Sequence, residues 1–209
     1  MSERIGVFGG TFDPIHVGHL AAAVNVHHSL ALDRLLLVVA NVPWQKIGSR
    51  TVSAADDRLA MVEAAVDGIP GLEACSIELE RGGPSYTADT LAELQERHRE
   101  AELYLVVGSD VAPWLDTWER IDEVRSRCVL VVVTRPGSPA FEAVGWRTER
   151  VEIPSLDISS TDLRERVADG RPLDFLVTPP VIRVIRERGL YCGGADERRP
   201  DLSGDTGTS

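Results

Sequence analysis

The 209-residue sequence lacks several features that would assign it to a particular class of protein. No apolar run approaches the roughly 20 residues that a membrane-spanning helix requires. Basic residues are not in excess, because the formal net charge at pH 7 is -11, and this argues against a general nucleic-acid binder. No secretory signal is recognisable, since residues 1–4 lead directly into an apolar stretch. These absences predict a cytoplasmic protein without a membrane or nucleic-acid partner.

Cysteine and lysine are both scarce. Cys75, Cys128 and Cys192 are odd in number and lack the spacing of metal ligands, so the sequence does not indicate a cysteine-based metal site. Cys128 stands in an apolar run and is predicted to be a buried free thiol. Lys46 is the only lysine, and arginine, whose planar guanidinium suits carboxylates and phosphates, carries the remaining positive charge.

Three widespread site motifs are absent as well. The chain has no Gly-x-x-x-x-Gly-Lys-Ser/Thr sequence and is therefore not a P-loop protein. Gly6, Gly9 and Gly10 have the wrong spacing for Gly-x-Gly-x-x-Gly, which disfavours a bound dinucleotide cofactor. No Gly-x-Ser-x-Gly sequence or similar arrangement indicates an activated nucleophile.

The segment 9–19 carries the strongest positive signal, with the sequence Gly-Gly-Thr-Phe-Asp-Pro-Ile-His-Val-Gly-His. It joins a short apolar run, which predicts a buried strand, to an alanine-rich stretch, which favours a helix. A glycine-rich turn in this position presents backbone amides to phosphate. His16 and His19 are expected on the same side of the first helical turn, and Gly18 would let a ligand approach the backbone closely. The alternative is a tight turn with two capping histidines.

Apolar runs and helix-forming segments alternate along the chain. Continuous apolar runs at 35–40, 103–107 and 128–133 predict parallel strands that are covered on both faces. Two further strands are predicted, one exposed or at a sheet edge over the alternating residues 75–80 and a short one over residues 151–153. Helices are predicted over 54–66 with Ser53 as the cap, over 86–98 and 114–125, and from Ser159 and Thr178 onward.

This alternation predicts an α/β fold, a doubly wound parallel sheet in a single domain over residues 1–192 with a small C-terminal helical part. Residues 193–209 are rich in glycine, serine and charge and are expected to form a disordered tail. Ligands of such sheets bind beyond the carboxyl ends of the strands, where the strand order reverses. Four segments are expected to meet there: residues 9–19, 41–46 and 108–110, and the helix start at Ser159.

Residues 10–19 match Gly-x-Phe-x-Pro-x-His-x-Gly-His, which resembles the signature of the nucleotidylyltransferase superfamily. That superfamily is similar to class I aminoacyl-tRNA synthetases in the His-x-Gly-His element. Within it, the chain resembles the bacterial nicotinate-nucleotide adenylyltransferases from Ile5 to about Tyr191. The resemblance implies a Rossmann-like fold and an enzyme that transfers the adenylyl group of ATP to nicotinate mononucleotide. The products would be deamido-NAD and pyrophosphate, in NAD biosynthesis.

Residues 158–164, Ile-Ser-Ser-Thr-Asp-Leu-Arg, resemble the second signature of this family, Ser-x-x-x-x-Arg at a helix start. Ser159 and Ser160 can offer hydroxyl groups, and the amides behind them, to phosphate oxygens. Arg164 can add a charged donor about one helical turn further on. An ordinary serine cap with a surface arginine is the alternative.

The resemblance also assigns the ATP site. His16, His19 and Arg164 would be the catalytic residues, and Asp110 would accept hydrogen bonds from the adenosine ribose. A helix cap is the alternative role for Asp110. The residues implied to bind ATP are Gly9, Gly10, Thr11, His16, His19, Gly108, Asp110, Ser159, Ser160, Thr161 and Arg164.

Residues 84–91 resemble the segment of the family that reads the pyridine ring. Thr87 would bring its backbone amide near the ring carboxylate, and Trp118 matches the tryptophan that stacks on the pyridinium ring. The backbone at Glu119 would also face the carboxylate. The alternatives are that Trp118 is only a core aromatic residue, or that Trp114 stacks in its place.

Lys46 and Arg135 are candidates to bind the phosphate of nicotinate mononucleotide or the polyphosphate of ATP. Many family members have Pro-Pro-His-Lys where this chain has Pro43-Trp44-Gln45-Lys46, so the loop departs from the family pattern while the lysine is retained. The acceptor phosphate has a second pKa of about 6, is mostly dianionic at neutral pH and needs no general base. Catalysis is therefore expected to consist of positioning and charge neutralisation.

Magnesium is the one cofactor implied, bound mainly by the phosphates of ATP and by no protein side chain. The resemblance also suggests self-association into a homo-oligomer. Three alternatives stay open for the function: an adenylyltransferase for nicotinamide mononucleotide, one for phosphopantetheine, and a non-catalytic nucleotide sensor.

Overall fold

The structure is a computed structural model that describes residues 2–42, 52–137 and 143–192. Within these ranges six β-strands form one sheet, and every strand is parallel to its neighbours. In chain order the strands are β1 (Arg4–Gly10), β2 (Arg34–Val39), β3 (Leu72–Cys75), β4 (Glu102–Gly108), β5 (Cys128–Thr134) and β6 (Thr148–Glu152). In space they lie in the order β3-β2-β1-β4-β5-β6.

The described helices are α1 (Val17–Ser29), α2 (Ala55–Val66), α3 (Ile77–Arg81), α4 (Thr87–Arg97), α5 (Ile121–Arg127), α6 (Ser160–Ala168) and α7 (Pro179–Glu187), with a 3-10 helix at Ala112–Thr117. The chain builds the sheet outward from β1 to β3 and then returns to the centre, where β4 pairs with β1. The reversal between β1 and β4 is the switch point of a doubly wound sheet. The predicted Rossmann-like α/β fold is therefore confirmed.

The sheet is covered on both faces, as its continuously apolar strands require. Along β2, Leu35 and Leu37 pack into one core cluster, whereas Leu36 packs into a second cluster. Along β5, Val131 belongs to the first cluster and Leu130 to the second. Successive side chains of a strand point to opposite faces, so a strand that is apolar at every position must be buried on both sides.

The C-terminal helical part packs back onto the first half of the chain. The helix α7 lies against α2. The hydroxyl of Tyr191 donates a hydrogen bond to Oδ1 of Asp13 at 2.7 Å, which ties the end of the described chain to the turn after β1. None of the helices in the described ranges has both the length and the apolar character needed to cross a bilayer. The predicted tail at 193–209 lies outside the described residues.

The alternating residues 75–80 do not form the predicted strand, and that prediction is wrong. The strand β3 ends at Cys75, and the chain then forms the short helix α3. Ile77 and Glu78 are adjacent in sequence and are both buried. A strand with one covered face cannot bury two successive side chains, whereas a helical turn can direct both inward. Glu78 therefore lies in the interior and not on a solvent-facing edge.

Two helix predictions also need correction. The N-cap residue of α2 is Ala54, so Ser53 does not cap this helix. The carbonyl of Ser53 instead accepts a hydrogen bond from Nε of Arg58 at 2.9 Å. The helix predicted over 114–125 is divided into the 3-10 helix and α5, because Arg120 between them has a left-handed backbone conformation with φ of 53°.

Candidate active site

The turn between β1 and α1 brings the two histidines into contact. His16 is the N-cap residue of α1, and His19 is the third residue of the helix. Their imidazole rings stack, with centroids 3.8 Å apart and planes inclined by 28°. The backbone N–H of His16 donates a hydrogen bond to Nδ1 of His19 at 3.3 Å. The two rings thus share one side of the first turn, and His19 has a capping role as well.

Hydrogen bonding orients the ring of His19, and burial sets the charge of His16. Because Nδ1 of His19 accepts from the backbone, the neutral ring carries its proton on Nε2, which can donate to a phosphate oxygen. Burial lowers the pKa of His16 from 6.5 to about 4, so this ring is uncharged at neutral pH. Nδ1 of His16 is buried and has no hydrogen-bond partner among the described residues. Positive charge for a polyphosphate must therefore come mainly from other side chains.

Gly18 makes room for the ring of His16. A Cβ atom on Gly18 would lie 3.0 Å from Nδ1 of His16. The lack of a side chain at Gly18 therefore makes room for the stacked imidazole ring of His16, and the close approach of a ligand to the Gly18 backbone stays a prediction. At Gly9, by contrast, a Cβ atom would meet no described atom within 4 Å, so the open backbone is found at the end of β1.

The second motif docks onto the first through backbone carbonyl groups. The hydroxyl of Ser160 donates to the carbonyl of Pro14 at 2.9 Å. Nη1 of Arg164 donates to the carbonyl of Asp13 at 2.7 Å. Nη2 of Arg164 donates to Oγ1 of Thr161 at 3.0 Å. The start of α6 and the histidine turn are therefore held together, and we call these two segments the phosphate side of the site.

Ser159 takes the capping role that was the alternative to phosphate binding. It is the N-cap residue of α6, and its Oγ accepts a hydrogen bond from the backbone N–H of Asp162 at 3.1 Å. A hydroxyl that accepts one hydrogen bond still has its own proton to donate. The cap therefore leaves Ser159 able to donate to a phosphate oxygen.

A cleft of about 470 Å³ opens beyond the carboxyl ends of β1, β2 and β4. It lies at the switch point of the sheet, where ligands of doubly wound folds bind, and its volume suits a small-molecule ligand. A shallower depression of about 980 Å³ between α2 and β3 contains none of the predicted site residues. The predicted residues that line the cleft are Gly9, Gly10, Thr11, Thr87, Gly108, Asp110 and Trp118.

The remaining predicted residues lie outside this lining. The phosphate side borders the cleft through Phe8, which lines it and whose ring centroid is 6.4 Å from that of His19. Glu119 is exposed, and Arg135 is exposed just after β5. Lys46 lies outside the described residues. The ligand contacts of these three residues, like those of all the predicted site residues, stay predictions.

The start of α4, part of α3 and Trp118 also line the cleft, and we call this part of the lining the ring side. Trp118 lines the cleft, whereas Trp114 is 65% exposed and lies outside the lining. Trp118 also packs against the second core cluster, so its core role and its cleft role coexist. Thr87 is the first residue of α4, and its backbone amide is at the positive end of that helix.

Two polar residues of the ring side were not predicted. Glu78 in α3 and Thr90 in α4 are both buried and line the cleft. Oγ1 of Thr90 donates a hydrogen bond to Oε1 of Glu78 at 2.6 Å. The burial of Glu78 was missed because the alternating pattern over 75–80 predicts a strand with this side chain on its exposed face.

Arg58 is another residue of the site region that sequence reasoning missed, and it is only 1% exposed. Its guanidinium donates to the carbonyl groups of Thr11 and Ala40 at 3.0 and 2.6 Å. It also donates to the carbonyl of Asn41 at 3.0 Å. Arg58 therefore ties the segment after β1 to the segment after β2. Its place among the apolar positions of the predicted helix 54–66 is the signal that could have identified it.

Comparison with known proteins first defines a class. A family model described as cytidylyltransferase-like matches residues 7–166. This range begins in β1 and ends in α6, so it contains both the histidine motif and the serine–arginine motif. The match and the doubly wound sheet together place the chain among the nucleotidyltransferases.

Individual relatives narrow this class. The probable nicotinate-nucleotide adenylyltransferase of Saccharopolyspora erythraea is 41% identical over 199 residues, which cover 93% of this chain and 92% of the relative. The protein of the same name from Streptomyces coelicolor is 43% identical over 187 residues, which cover 88% of this chain and 99% of the relative. The chain belongs to the nicotinate-nucleotide adenylyltransferase family.

A solved structure shares the fold across most of both chains. The Plasmodium falciparum nicotinic acid mononucleotide adenylyltransferase complexed with NaAD has a TM-score of 0.76 and covers 90% of this chain and 97% of its own. The two sequences are 18% identical, so the likeness concerns the fold.

Proposed function

We propose that this chain transfers the adenylyl group of ATP to nicotinate mononucleotide, giving deamido-NAD and pyrophosphate in NAD biosynthesis. The relatives are named for a nicotinate-nucleotide adenylyltransferase activity, and the structural neighbour is complexed with NaAD. One observation carries the proposal: the start of α6 docks onto the histidine turn beside a cleft that has Trp118 in its wall. Phosphate donors and an aromatic surface thus belong to one site.

The phosphate side would position the reacting phosphorus and offset its charge. A phosphate oxygen of the mononucleotide attacks the α-phosphorus of ATP, and the bond to the oxygen bridging to the β-phosphorus breaks. Pyrophosphate leaves with that electron pair, and no base is needed because the attacking phosphate is mostly dianionic. His19 would donate through Nε2. Arg164 would supply positive charge from a guanidinium already held by Asp13 and Thr161.

The adenosine end of ATP would lie over the ends of β1 and β4. The backbone amides of Gly9, Gly10 and Thr11 suit phosphate, and the carboxylate of Asp110 suits the ribose hydroxyls. A Cβ atom on Gly108 would collide with Oδ1 of Asp110. The glycine therefore allows the Asp110 carboxylate to fold back over the end of β4.

Magnesium would enter with ATP. The triphosphate itself supplies the hard oxygen ligands that Mg²⁺ prefers. In the described parts of the chain, no group of three or more His, Cys, Asp and Glu side chains is arranged to hold a metal ion. When bound, Mg²⁺ would offset the negative charge that accumulates on the leaving pyrophosphate. Full turnover in excess chelator would contradict this assignment.

The ring side would bind the pyridine mononucleotide. Trp118 offers a flat, electron-rich face to the pyridinium ring. The amide of Thr87, at the positive end of α4, suits the ring carboxylate and favours the acid over the amide. We assign the backbone of Glu119 to the same carboxylate, and Lys46 and Arg135 to the phosphate groups.

A steady-state assay of pyrophosphate release tests the proposal. With ATP as co-substrate, kcat/KM is expected to be at least about tenfold higher for nicotinate than for nicotinamide mononucleotide, because the acid gains a charge-assisted hydrogen bond. A preference for the amide, or turnover of phosphopantetheine, would point to another adenylyltransferase. ATP binding without pyrophosphate release, with all three acceptors, would indicate a nucleotide sensor.

The proposed partners are the two substrates alone. A net charge of -11 is unfavourable for contact with nucleic acid or with an anionic membrane surface. Self-association, which the family resemblance suggests, stays a proposal. Light scattering of the purified chain would measure its molar mass in solution and test it.

A further inference from the structure

Glu78 is a buried acidic residue in the wall of the ligand cleft. It is 7% exposed and lines the cleft together with Thr87 and Trp118. Its Oε1 accepts the hydrogen bond from Oγ1 of Thr90 at 2.6 Å. Neither the two sequence motifs nor the phosphate chemistry gives this carboxylate a role.

The hydroxyl of Thr90 links Glu78 to Arg81. Nη2 of Arg81 donates to Oγ1 of Thr90 at 3.0 Å. A hydroxyl has a single proton, and of its two acceptors, Oε1 of Glu78 at 2.6 Å and the carbonyl of Tyr86 at 3.3 Å, the carboxyl oxygen is the nearer. Glu78 therefore accepts a hydrogen bond within the wall of the cleft.

No cation within the described ranges neutralises Glu78 directly, since no arginine or histidine nitrogen there lies within 4.0 Å of its carboxylate. Arg81 is paired with Glu93 at 3.0 Å. Burial lowers the pKa of Arg58, and the charges of Asp13 and Glu78 oppose this, but the guanidinium of Arg58 donates to backbone carbonyl groups. A buried carboxylate without a direct salt bridge is costly, and a positively charged ligand in the cleft would offset that cost.

We propose that Glu78 is the counter-charge for the cationic pyridinium ring and makes the cleft select a charged ring over an uncharged one. The inference rests on the proposed function, because a pyridine mononucleotide carries this ring cation. The start of α4 at Thr87 favours the ring carboxylate, whereas Glu78 attracts the ring cation and repels the carboxylate. Together these groups give the ring one preferred orientation against Trp118.

The test is a binding measurement on the full chain with two forms of one ligand. Nicotinate mononucleotide has a cationic ring, and its dihydropyridine form has an uncharged ring. The wild type is expected to bind the cationic form at least about tenfold more tightly. Glu78→Gln retains an oxygen that can accept from Thr90 but removes the charge. It should weaken binding of the cationic form about tenfold and change that of the dihydropyridine form less than about twofold.

Glu80→Gln is the matched control. Glu80 lies in the same short helix but is exposed, and it accepts hydrogen bonds from Ser76 and Arg97. Its substitution should leave the affinity for both ring forms unchanged. If Glu78→Gln weakens both forms equally, or neither, the proposed role is wrong. If that variant does not fold, the wild type decides, because equal affinity for the two forms also refutes the proposal.

The outcomes separate this inference from the proposed function. A wild-type chain that makes deamido-NAD but binds both ring forms equally refutes only the role of Glu78. A wild-type chain that makes no deamido-NAD refutes the function, while the affinity ratio is measured without turnover and still reports on Glu78.

Discussion

The two sides of the site are constructed differently. On the phosphate side, Arg164 reaches the carbonyl of Asp13 across 151 positions of the chain. On the ring side, Thr90 and Glu78 are 12 positions apart. The distant contact is nevertheless the one that sequence motifs indicate, because Asp13 and Arg164 each belong to a contiguous motif. The nearby contact depends on the burial of the Glu78 carboxylate, which no sequence motif predicts.

The electrostatic character of the two sides also differs. The phosphate side combines a neutral histidine, His16, with the arginine Arg164, whereas the ring side carries the carboxylate of Glu78. ATP brings a polyanion to the site, and a pyridine nucleotide brings a ring cation. Opposite charges on the two sides would therefore direct each substrate to its own place. Substitutions on the phosphate side should change turnover, and those on the ring side should change affinity for the mononucleotide.

The largest effect is expected from His19→Ala on the phosphate side. It should lower kcat about 10²–10³-fold, because it deletes a positioned donor to the charge that develops on the phosphate. The KM for nicotinate mononucleotide should change little, and the unfolding midpoint should stay the same. His28→Ala, at the exposed end of the same helix, is the control. Unchanged turnover in His19→Ala would show that the histidine pair is only a helix cap.

Arg58→Met should reduce the free energy of unfolding by about 3 kcal/mol, because it leaves several buried carbonyl groups without their donor. Urea unfolding measures this loss. The KM for ATP should also rise more than that for the mononucleotide, since Arg58 supports the segment after β1. Arg183→Met, on the exposed face of α7, should change stability by less than about 0.5 kcal/mol. Equal losses of unfolding free energy in the two variants would contradict the structural role assigned to Arg58.

The lowered pKa of His16 predicts a pH dependence of the free energy of unfolding that originates on the phosphate side. Its folded value of about 4 lies below the ordinary 6.5, so the unfolded chain takes up this proton first as the pH falls. The contribution to stability should be complete above pH 6.5 and should decline by up to about 3 kcal/mol toward pH 4. Urea unfolding of the wild type and His16→Gln across this range measures it. A wild-type slope no steeper than that of the variant would contradict the prediction.

The smallest effect is expected on the ring side, from Trp118→Leu. Loss of the aromatic face should raise the KM for nicotinate mononucleotide about tenfold and leave the KM for ATP nearly unchanged. Trp114→Leu is the control, because Trp114 lies outside the cleft lining. If Trp114→Leu has the larger effect, Trp114 is the stacking residue.

The fold could be predicted where local pattern and tertiary packing agree. The apolar runs that became β2, β4 and β5 are buried on both faces, so their periodicity reflects their surroundings directly. The alternating pattern over 75–80 gave a wrong prediction because alternation of apolar and polar residues indicates a strand only when one face of the strand is buried and the other is exposed to solvent. The left-handed backbone conformation of Arg120 interrupts the helix that was predicted over 114–125, and an arginine does not predict such a conformation.

The site could be predicted to the extent that its residues form contiguous motifs. The two histidines and the serine–arginine segment were found this way, and the structure brings their segments together. Gly18 was singled out for the approach of a ligand, and the structure adds a second reason, since the ring of His16 occupies the space that a Cβ atom would need. Ser159 proved to be a helix cap, the option that the sequence had left open.

Periodicity and spacing are properties of short stretches, and they were sufficient to predict a doubly wound parallel sheet with a glycine- and histidine-containing turn after its first strand. Whether a charged side chain is buried depends on segments that arrive from elsewhere in the chain. Glu78 would pass for a surface residue until the strand ends and α4 close around it, and for Arg58 only its position on the apolar face of a predicted helix indicates burial. Tertiary packing therefore determined which charged side chains are desolvated, because desolvation is imposed by neighbours that are distant in sequence.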